Sequence, residues 1–183
     1  MNRLLTKKIE RRIQAAKDKR LGNLFIFIGL IAFISSIYSG RQYNLTIIKF
    51  EHVVAVHIAS GLVFGILTLK YKEKLEGKDF NIFRHFIWTM LVYGAIFCAL
   101  FYLTNRQFSD KNEYELSFQI IERHRAYRTL TNYTVISIQD FTKDIKFPNN
   151  EMTELNNANF VTLTLSNGLW GVPIIKNSKL TKQ

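Results

Sequence analysis

Three long runs of apolar residues dominate the first hundred residues, and they are continuous rather than periodic. They extend from about Leu24 to Tyr38, from Val53 to Leu69 and from Phe86 to Leu103, and none contains Lys, Arg, Asp or Glu. Because an α-helix rises 1.5 Å per residue, about 17–20 such residues cover the roughly 30 Å hydrocarbon core of a bilayer. The pattern predicts three transmembrane helices, at about 22–39, 51–69 and 85–103.

Two other interpretations of these runs carry less weight. Three buried helices of a soluble protein would need a polar shell, and a chain of 183 residues is too short to supply one around three helices that are apolar on all sides. A cleaved signal peptide would explain only the first run. The charged segment before that run is unusually long for a signal peptide, and no clear small-residue cleavage site follows it.

Basic residues are distributed unevenly around the predicted helices. The chain has 25 Lys and Arg against 14 Asp and Glu, and 15 of the basic but only six of the acidic residues lie in 1–103. They concentrate before the first helix and in the second loop, whereas the first loop holds only Arg41 and Lys49. Since Lys and Arg favour cytoplasmic loops, we expect a cytoplasmic N-terminus and second loop and an extracytoplasmic first loop and C-terminal region. The net charge of +11 is therefore an orientation signal and gives no reason to expect DNA binding.

This orientation divides the chain into three parts. Residues 1–21 form a basic cytoplasmic segment, 22–103 a three-helix transmembrane domain and 104–183 a β-rich soluble domain outside the membrane. In the first part, Leu5, Ile9 and Ile13 recur every four residues, which is typical of a helix lying on an anionic membrane surface. Abundant Lys, Asn and Ile suit a low-GC bacterium, so we expect a multi-pass protein of a bacterial inner membrane.

Small and polar residues inside the second run suggest a packing face. His57, Gly61 and Gly65 are spaced by four and share one side of a helix, where glycines let another backbone approach closely. The partner of this face is either another helix of the chain or a second copy in a homo-oligomer. We expect His57 to form a hydrogen bond across the bundle. His85 and His124 lie at other depths, so a haem ligated by two histidines is not expected, and a single cysteine excludes a disulfide framework and a Cys-based zinc site.

The last 80 residues have the alternation of β-strands. Strands are predicted over Glu115–Ile121, Tyr133–Gln139, Ile145–Phe147 and Phe160–Leu165, with a short helix at Glu151–Asn157. Asn167-Gly168 predicts a tight hairpin turn followed by a return strand at Leu169–Ile175, in which Pro173 indicates an edge position or a bulge. The predicted fold is an α+β membrane protein, with three transmembrane helices followed by a small antiparallel β-rich domain that contains one short helix.

A dense basic and aromatic cluster lies between the first two predicted strands. Arginine guanidinium groups bind phosphate and carboxylate groups, and aromatic rings can stack on a ligand. The cluster is a candidate site for a partner's acidic patch or an anionic ligand, although a solvated loop would have the same composition. Its residues are Arg123, His124, Arg125, Tyr127 and Arg128.

Three functional hypotheses follow. The sequence contains no glycine-rich phosphate loop and none of the common hydrolase or metalloprotease motifs, so the first is a non-enzymatic membrane protein. It would be an accessory or sensor subunit that needs no cofactor or metal, assembles with other membrane subunits or with itself, and binds a partner or anionic ligand through its β-rich domain. The second is a ligand-gated effector or channel whose C-terminal domain is cytoplasmic and senses a nucleotide messenger. The third is a proton-coupled unit or membrane enzyme that uses His57 and Glu51.

Overall fold

The computed structural model describes residues 2–124, 131–148 and 152–182, with side chains for residues 20, 22–124, 132–147 and 154–182. Its helices are α1 (Asn2–Asn44), α2 (Phe50–Glu76), α3 (Ile82–Thr89), α4 (Ala95–Gln107) and α5 (Met152–Asn157). Its strands are β1 (Glu113–His124), β2 (Thr131–Ile138), β3 (Phe141–Pro148), β4 (Phe160–Asn167) and β5 (Pro173–Thr181). A π-helical turn at Met90–Gly94 joins α3 to α4.

In the part of the chain that the structure describes, three helices are long and apolar enough to cross a membrane. They are Gly22–Asn44, Phe50–Asp79 and Ile82–Gln107, each several residues longer than the predicted spans. The third begins after Asn81, whose side chain accepts a hydrogen bond from the Arg84 amide at 3.0 Å and so caps α3. The basic N-terminal residues belong to the same unbroken helix as the first span, because α1 starts at Asn2.

The chain divides into two compact units. One contains residues 1–37 and His57–Phe97, and the other contains Tyr38–Val56 and Cys98–Gln183. In the first unit, Ala32 of α1 packs against Val92 and Ala95 of the third helix. The second unit includes the first loop and the adjoining helix ends in addition to the C-terminal region.

The second unit is built on one antiparallel sheet of five strands in the order β3-β2-β1-β4-β5. The first four strands and the short helix occur where the alternation predicts them, and the α+β layout is confirmed. One face carries the core, in which Ile136, Val161 and Leu163 are fully buried. The opposite face is polar, and the Ser117 and Thr162 hydroxyls hydrogen-bond across β1 and β4 at 2.8 Å. A sheet with one buried and one solvated face explains why the alternation is readable in the sequence.

The predicted turn before the last strand is wrong in detail. β5 begins at Pro173 rather than Leu169, and Asn167 pairs with Pro173 across a loop of five residues. The loop is longer because its residues form other hydrogen bonds, including one from the Gly168 amide to the Val172 carbonyl at 3.1 Å. Gly171 has a φ of 72°, a conformation that favours glycine. Pro173 does lie on an edge strand, where its missing amide costs no ladder hydrogen bond.

Candidate functional site

Only two residues of the predicted basic cluster lie within the described part of the chain. Arg123 donates from Nε to the Leu155 carbonyl at 3.1 Å and from Nη2 to the Ala158 carbonyl. These carbonyls belong to α5 and the residue just after it, so Arg123 holds the short helix against the sheet. Because its guanidinium already serves two backbone acceptors, Arg123 is first of all a structural residue.

His124 is likewise engaged within the chain. Its ring stacks on Tyr133 of β2 with the centroids 4.6 Å apart and the planes 13° apart. Its Nε2 lies 2.9 Å from a carboxylate oxygen of Glu122. Arg125, Tyr127 and Arg128 lie outside the described residues. A contact surface at this loop would therefore depend on residues other than Arg123 and His124.

The glycine face of α2 packs against the third helix of the same chain. A Cβ on Gly61 would overlap the Met90 backbone, and one on Gly65 would lie 2.6 Å from the Phe86 ring. On the opposite helix, a Cβ on Gly94 would lie 2.6 Å from the His57 ring. Backbones can approach this closely only where a side chain is missing, so the two helices fit through their glycines. The π-helical turn lies at this crossing, between Met90 and Gly94.

The first loop is built into the core of the sheet unit. Ile47 packs against the buried apolar cluster of the sheet. The loop also hydrogen-bonds to β5, since the Ile47 amide donates to the Pro173 carbonyl and the Ile175 amide to the Leu45 carbonyl, both at 2.9 Å. Loop residues thus extend one edge of the sheet and fill part of its concave face.

A lysine attaches the same loop region to the opposite edge strand. Lys143 lies on the core face of β3, is only 3% exposed and donates from Nζ to the Tyr43 carbonyl at 2.6 Å. Its Nζ also lies 3.6 Å from the centroid of the Tyr43 ring. Tyr43 is in the last turn of α1, where the helix dipole favours a cation. Desolvation lowers the pKa of Lys143 to about 8, despite the opposing effect of Asp144.

We call residues 43–49 together with Lys143, Asp140 and Pro173–Ile175 the loop–sheet junction. Lys49 forms an ion pair with Asp140 in the turn between β2 and β3, and that contact lowers the pKa of the Asp140 carboxyl. Both edge strands therefore meet the first loop, and the sheet is curled around it. A cavity of about 210 Å³ lies beside Lys143, and it is smaller than the roughly 300–1,000 Å³ typical of ligand pockets.

Asn105 organises a second contact in the same unit. Its side chain is fully buried, donates to the Val172 carbonyl at 3.1 Å and accepts from the Trp170 amide at 3.0 Å. The Trp170 ring stacks on Phe101, with the ring centroids 6.4 Å apart. The loop between β4 and β5 is therefore fixed to the last two turns of α4.

Sequence reasoning overlooked both Lys143 and Asn105. For Lys143 a signal exists, because Phe141, Lys143, Ile145 and Phe147 alternate and place the lysine on the face of three apolar residues. A lysine pointing inward on an edge strand is also a known protection against edge pairing. For Asn105 the only signal is a polar residue next to an apolar run, which equally suits an exposed helix end.

Within the described residues, no group of three His, Cys, Asp or Glu side chains converges in a way that could hold a metal ion. Comparison of the chain with protein-family models, with curated proteins and with solved structures finds no match.

Proposed function

We propose that this chain is a non-enzymatic integral membrane protein, an accessory or sensor subunit whose extracytoplasmic β-rich domain binds a partner or an anionic ligand. The proposal places it in a bacterial inner membrane, with its N-terminus in the cytoplasm. It assembles with other membrane subunits or with itself.

The loop–sheet junction is the observation that carries the proposal. A domain that only needs a membrane anchor requires no more than one linker to a transmembrane helix. In this chain, Ile47 is part of the sheet's core and both edge strands bind residues 43–49. A partner that changes the curl of the sheet would act directly on the ends of α1 and α2 that flank the loop. Such a partner can shift the helix ends only to the extent that it binds one arrangement of the sheet and loop more tightly than another.

The distribution of charge supports the orientation. The second loop and its flanks carry Lys70, Lys72, Lys74, Lys78 and Arg84. The first loop region has only two basic residues, Arg41 and Lys49, and Lys49 is paired with Asp140. An excess of Lys and Arg on the side of the second loop favours the cytoplasm for that side and the opposite compartment for the sheet.

The nucleotide-sensing alternative has less support. It relies on the basic cluster of Arg123–Arg128 as phosphate ligands, and within the described residues the Arg123 guanidinium is bonded to the carbonyls of Leu155 and Ala158. The same bonds weaken Arg123 as the contact for any other anionic ligand. It also requires a cytoplasmic sheet, against the charge distribution. The third hypothesis needs His57 for chemistry, yet the His57 ring packs against Gly94 at a helix crossing, where its shape has a structural role.

Cysteine labelling tests the orientation. In a Cys98→Ser background, a single cysteine replaces exposed Lys146 in the sheet or, as the matched control, exposed Lys78 in the second loop. A membrane-impermeant maleimide added to intact spheroplasts should label the Lys146→Cys variant and spare Lys78→Cys until the membrane is opened. The reverse pattern would overturn the orientation and revive the cytoplasmic-sensor hypothesis.

Photocrosslinking in cells tests the binding role. A photoreactive phenylalanine replaces Gln119, which is exposed on the polar face of the sheet, or Ile26, which is 74% exposed on the first span. A partner-binding sheet should give a discrete adduct of defined mass at Gln119 that does not form at Ile26. If Gln119 and further exposed positions on that face give no adduct, the sheet is not a binding surface and the proposal fails.

A further inference from the structure

A pair of adjoining cavities lies in the helical unit, between α1, the end of α2 and α3. Their volumes are about 220 and 140 Å³, and they share four lining residues. The shared residues are Phe25, Lys72, His85 and Trp88. The wider cavity adds Glu76 and Arg84, and the narrower one adds mainly apolar side chains such as Ile28 and Leu75. One end of the combined space is charged and the other is apolar.

The charged end has more positive than negative groups. Lys72 bonds to Glu76 at 2.9 Å, and Arg84 bonds to the same carboxylate at 2.7 Å. One carboxylate therefore serves two cations, which leaves a formal charge of +1. Arg84 uses Nη2 for both Glu76 and the Asp79 carbonyl, so within the described residues its Nε and Nη1 have no acceptor. Lys72 is held in place over the Phe25 ring at 3.9 Å, and its side chain is only 18% exposed.

His85 adds a polar atom that has no partner. Its Nε2 lies 2.9 Å from the Gly65 carbonyl, which can only accept, so Nε2 carries a proton. Its Nδ1 is buried and has no hydrogen-bond partner in the described part of the chain. Buried nitrogens without partners are rare in folded proteins, and each calls for a bound water or ligand. Since Nε2 holds the ring proton, Nδ1 accepts a hydrogen bond, and a water or a ligand hydroxyl rather than a phosphate oxygen would satisfy it.

We propose that these cavities bind an anionic phospholipid from the leaflet on the side of the second loop. The phosphate lies at Lys72 and Arg84, and an acyl chain follows Phe25, Ile28 and Trp88. Basic pockets between transmembrane helices bind such headgroups, and guanidinium groups suit phosphate oxygens. The apolar walls favour an amphiphile over a soluble phosphate, because a soluble ion would leave them exposed to water. This inference does not depend on the proposed function of the sheet.

Trp88 reports on the site directly. The chain has two tryptophans, so a Trp170→Phe background leaves Trp88 as the only one. The protein is reconstituted in phosphatidylcholine vesicles that contain, at equal mole fraction, either brominated phosphatidylglycerol or brominated phosphatidylcholine. Bromine quenches tryptophan only at short range, so a bound anionic lipid should make the phosphatidylglycerol quench Trp88 more strongly.

Charge variants separate the site from general surface charge. Lys72→Gln with Arg84→Gln should abolish the preference, since each near-surface cation contributes roughly fivefold to anionic-lipid affinity. Lys70→Gln with Lys74→Gln removes the same charge from exposed positions that do not line the cavities, and it should keep the preference. Glu76→Gln removes the competing carboxylate and should strengthen it. Arg84→Gln alone, at a side chain 63% exposed, should weaken it without disturbing the fold.

Three results would overturn the proposal. One is equal quenching by the two brominated lipids in the parent protein. Another is equal loss of preference in the Lys70/Lys74 control, which would assign the effect to diffuse charge. The third is relief of quenching by inorganic phosphate, which would make a soluble phosphate the ligand.

Discussion

Asn105 and Gly168 should depend on one another for stability, and a double-mutant cycle can measure that dependence. A Cβ on Gly168 would lie closer than 3.0 Å to Nδ2, Oδ1 and Cγ of Asn105, and these are the nearest atoms it would meet. The Asn105 side chain cannot move aside freely, because it is fully buried and bonded to Val172 and Trp170. Gly168→Ala must therefore break these hydrogen bonds or distort the loop.

The size of each effect follows from the contacts. Asn105→Ala leaves the Trp170 amide without its acceptor and removes one of the two donors to the Val172 carbonyl, which should cost about 1–3 kcal/mol. Gly168→Ala overpacks the same space and should also cost about 1–3 kcal/mol. In the double variant the overlapping atoms are gone, so the added methyl group should cost almost nothing. The coupling energy is then about 1–3 kcal/mol.

Thermal unfolding in detergent, followed by tryptophan fluorescence, measures this coupling. For a chain of this size, 1 kcal/mol corresponds to about 2–4 °C in Tm. Each single variant should lower Tm by several degrees, and the double variant should melt close to Asn105→Ala alone. Additive losses of Tm would show that the two residues do not share this space and would refute the packing described for the loop between β4 and β5.

Three further predictions use the same measurement. Gly61→Ala should lower stability by about 1–3 kcal/mol, because its methyl group overlaps the Met90 backbone. Gly40→Ala, whose methyl group meets no atom of the described residues within 4 Å, should be neutral or stabilising, and equal effects of the two variants would contradict the helix crossing. Lys143 gives a pH dependence: its pKa is about 8 in the folded protein and about 10.4 when unfolded, so between these values the unfolded chain holds more protons. The stability of the parent relative to Lys143→Met should therefore rise with pH from about 8 to 10.4, by at most about 1.4 kcal/mol per pH unit, and a flat or falling difference would argue against its burial. Arg123→Ala should lower the free energy of unfolding by about 1.5–3 kcal/mol, because it removes the charged hydrogen bonds to Leu155 and Ala158. An unchanged Tm would contradict this structural role and make Arg123 a ligand-binding candidate again.

Much of the architecture was determined locally and could be predicted from the sequence. Apolar runs free of charge produce spanning helices, since every backbone group must be satisfied within the segment in a lipid environment. Alternation in β2 and β4 marks strands because one face of the sheet is buried. The spacing of His57, Gly61 and Gly65 places them on one side of α2, since that follows from helical geometry alone.

Tertiary structure decided what these elements contact. Whether the glycine face of α2 met another helix of the chain or another copy depended on the fit of Met90 and Gly94, far away in sequence. The length of the last turn depended on Asn105, whose side chain hydrogen-bonds to the Val172 carbonyl and the Trp170 amide of the loop. The strand β5 therefore begins only at Pro173. Local pattern contains no information on such partners.

The candidate site shows the same division. Arg123 stands out in the sequence as part of a basic cluster, but the fold uses its guanidinium to hold α5. The alternation of β3 places Lys143 on the apolar face, but only the curl of the sheet brings it to the end of α1. Sequence alone determined the charge of each side chain and the face it occupies. Only the folded chain determined which distant carbonyl, ring or carboxylate each charge meets, because that depends on contacts between residues as far apart as Tyr43 and Lys143.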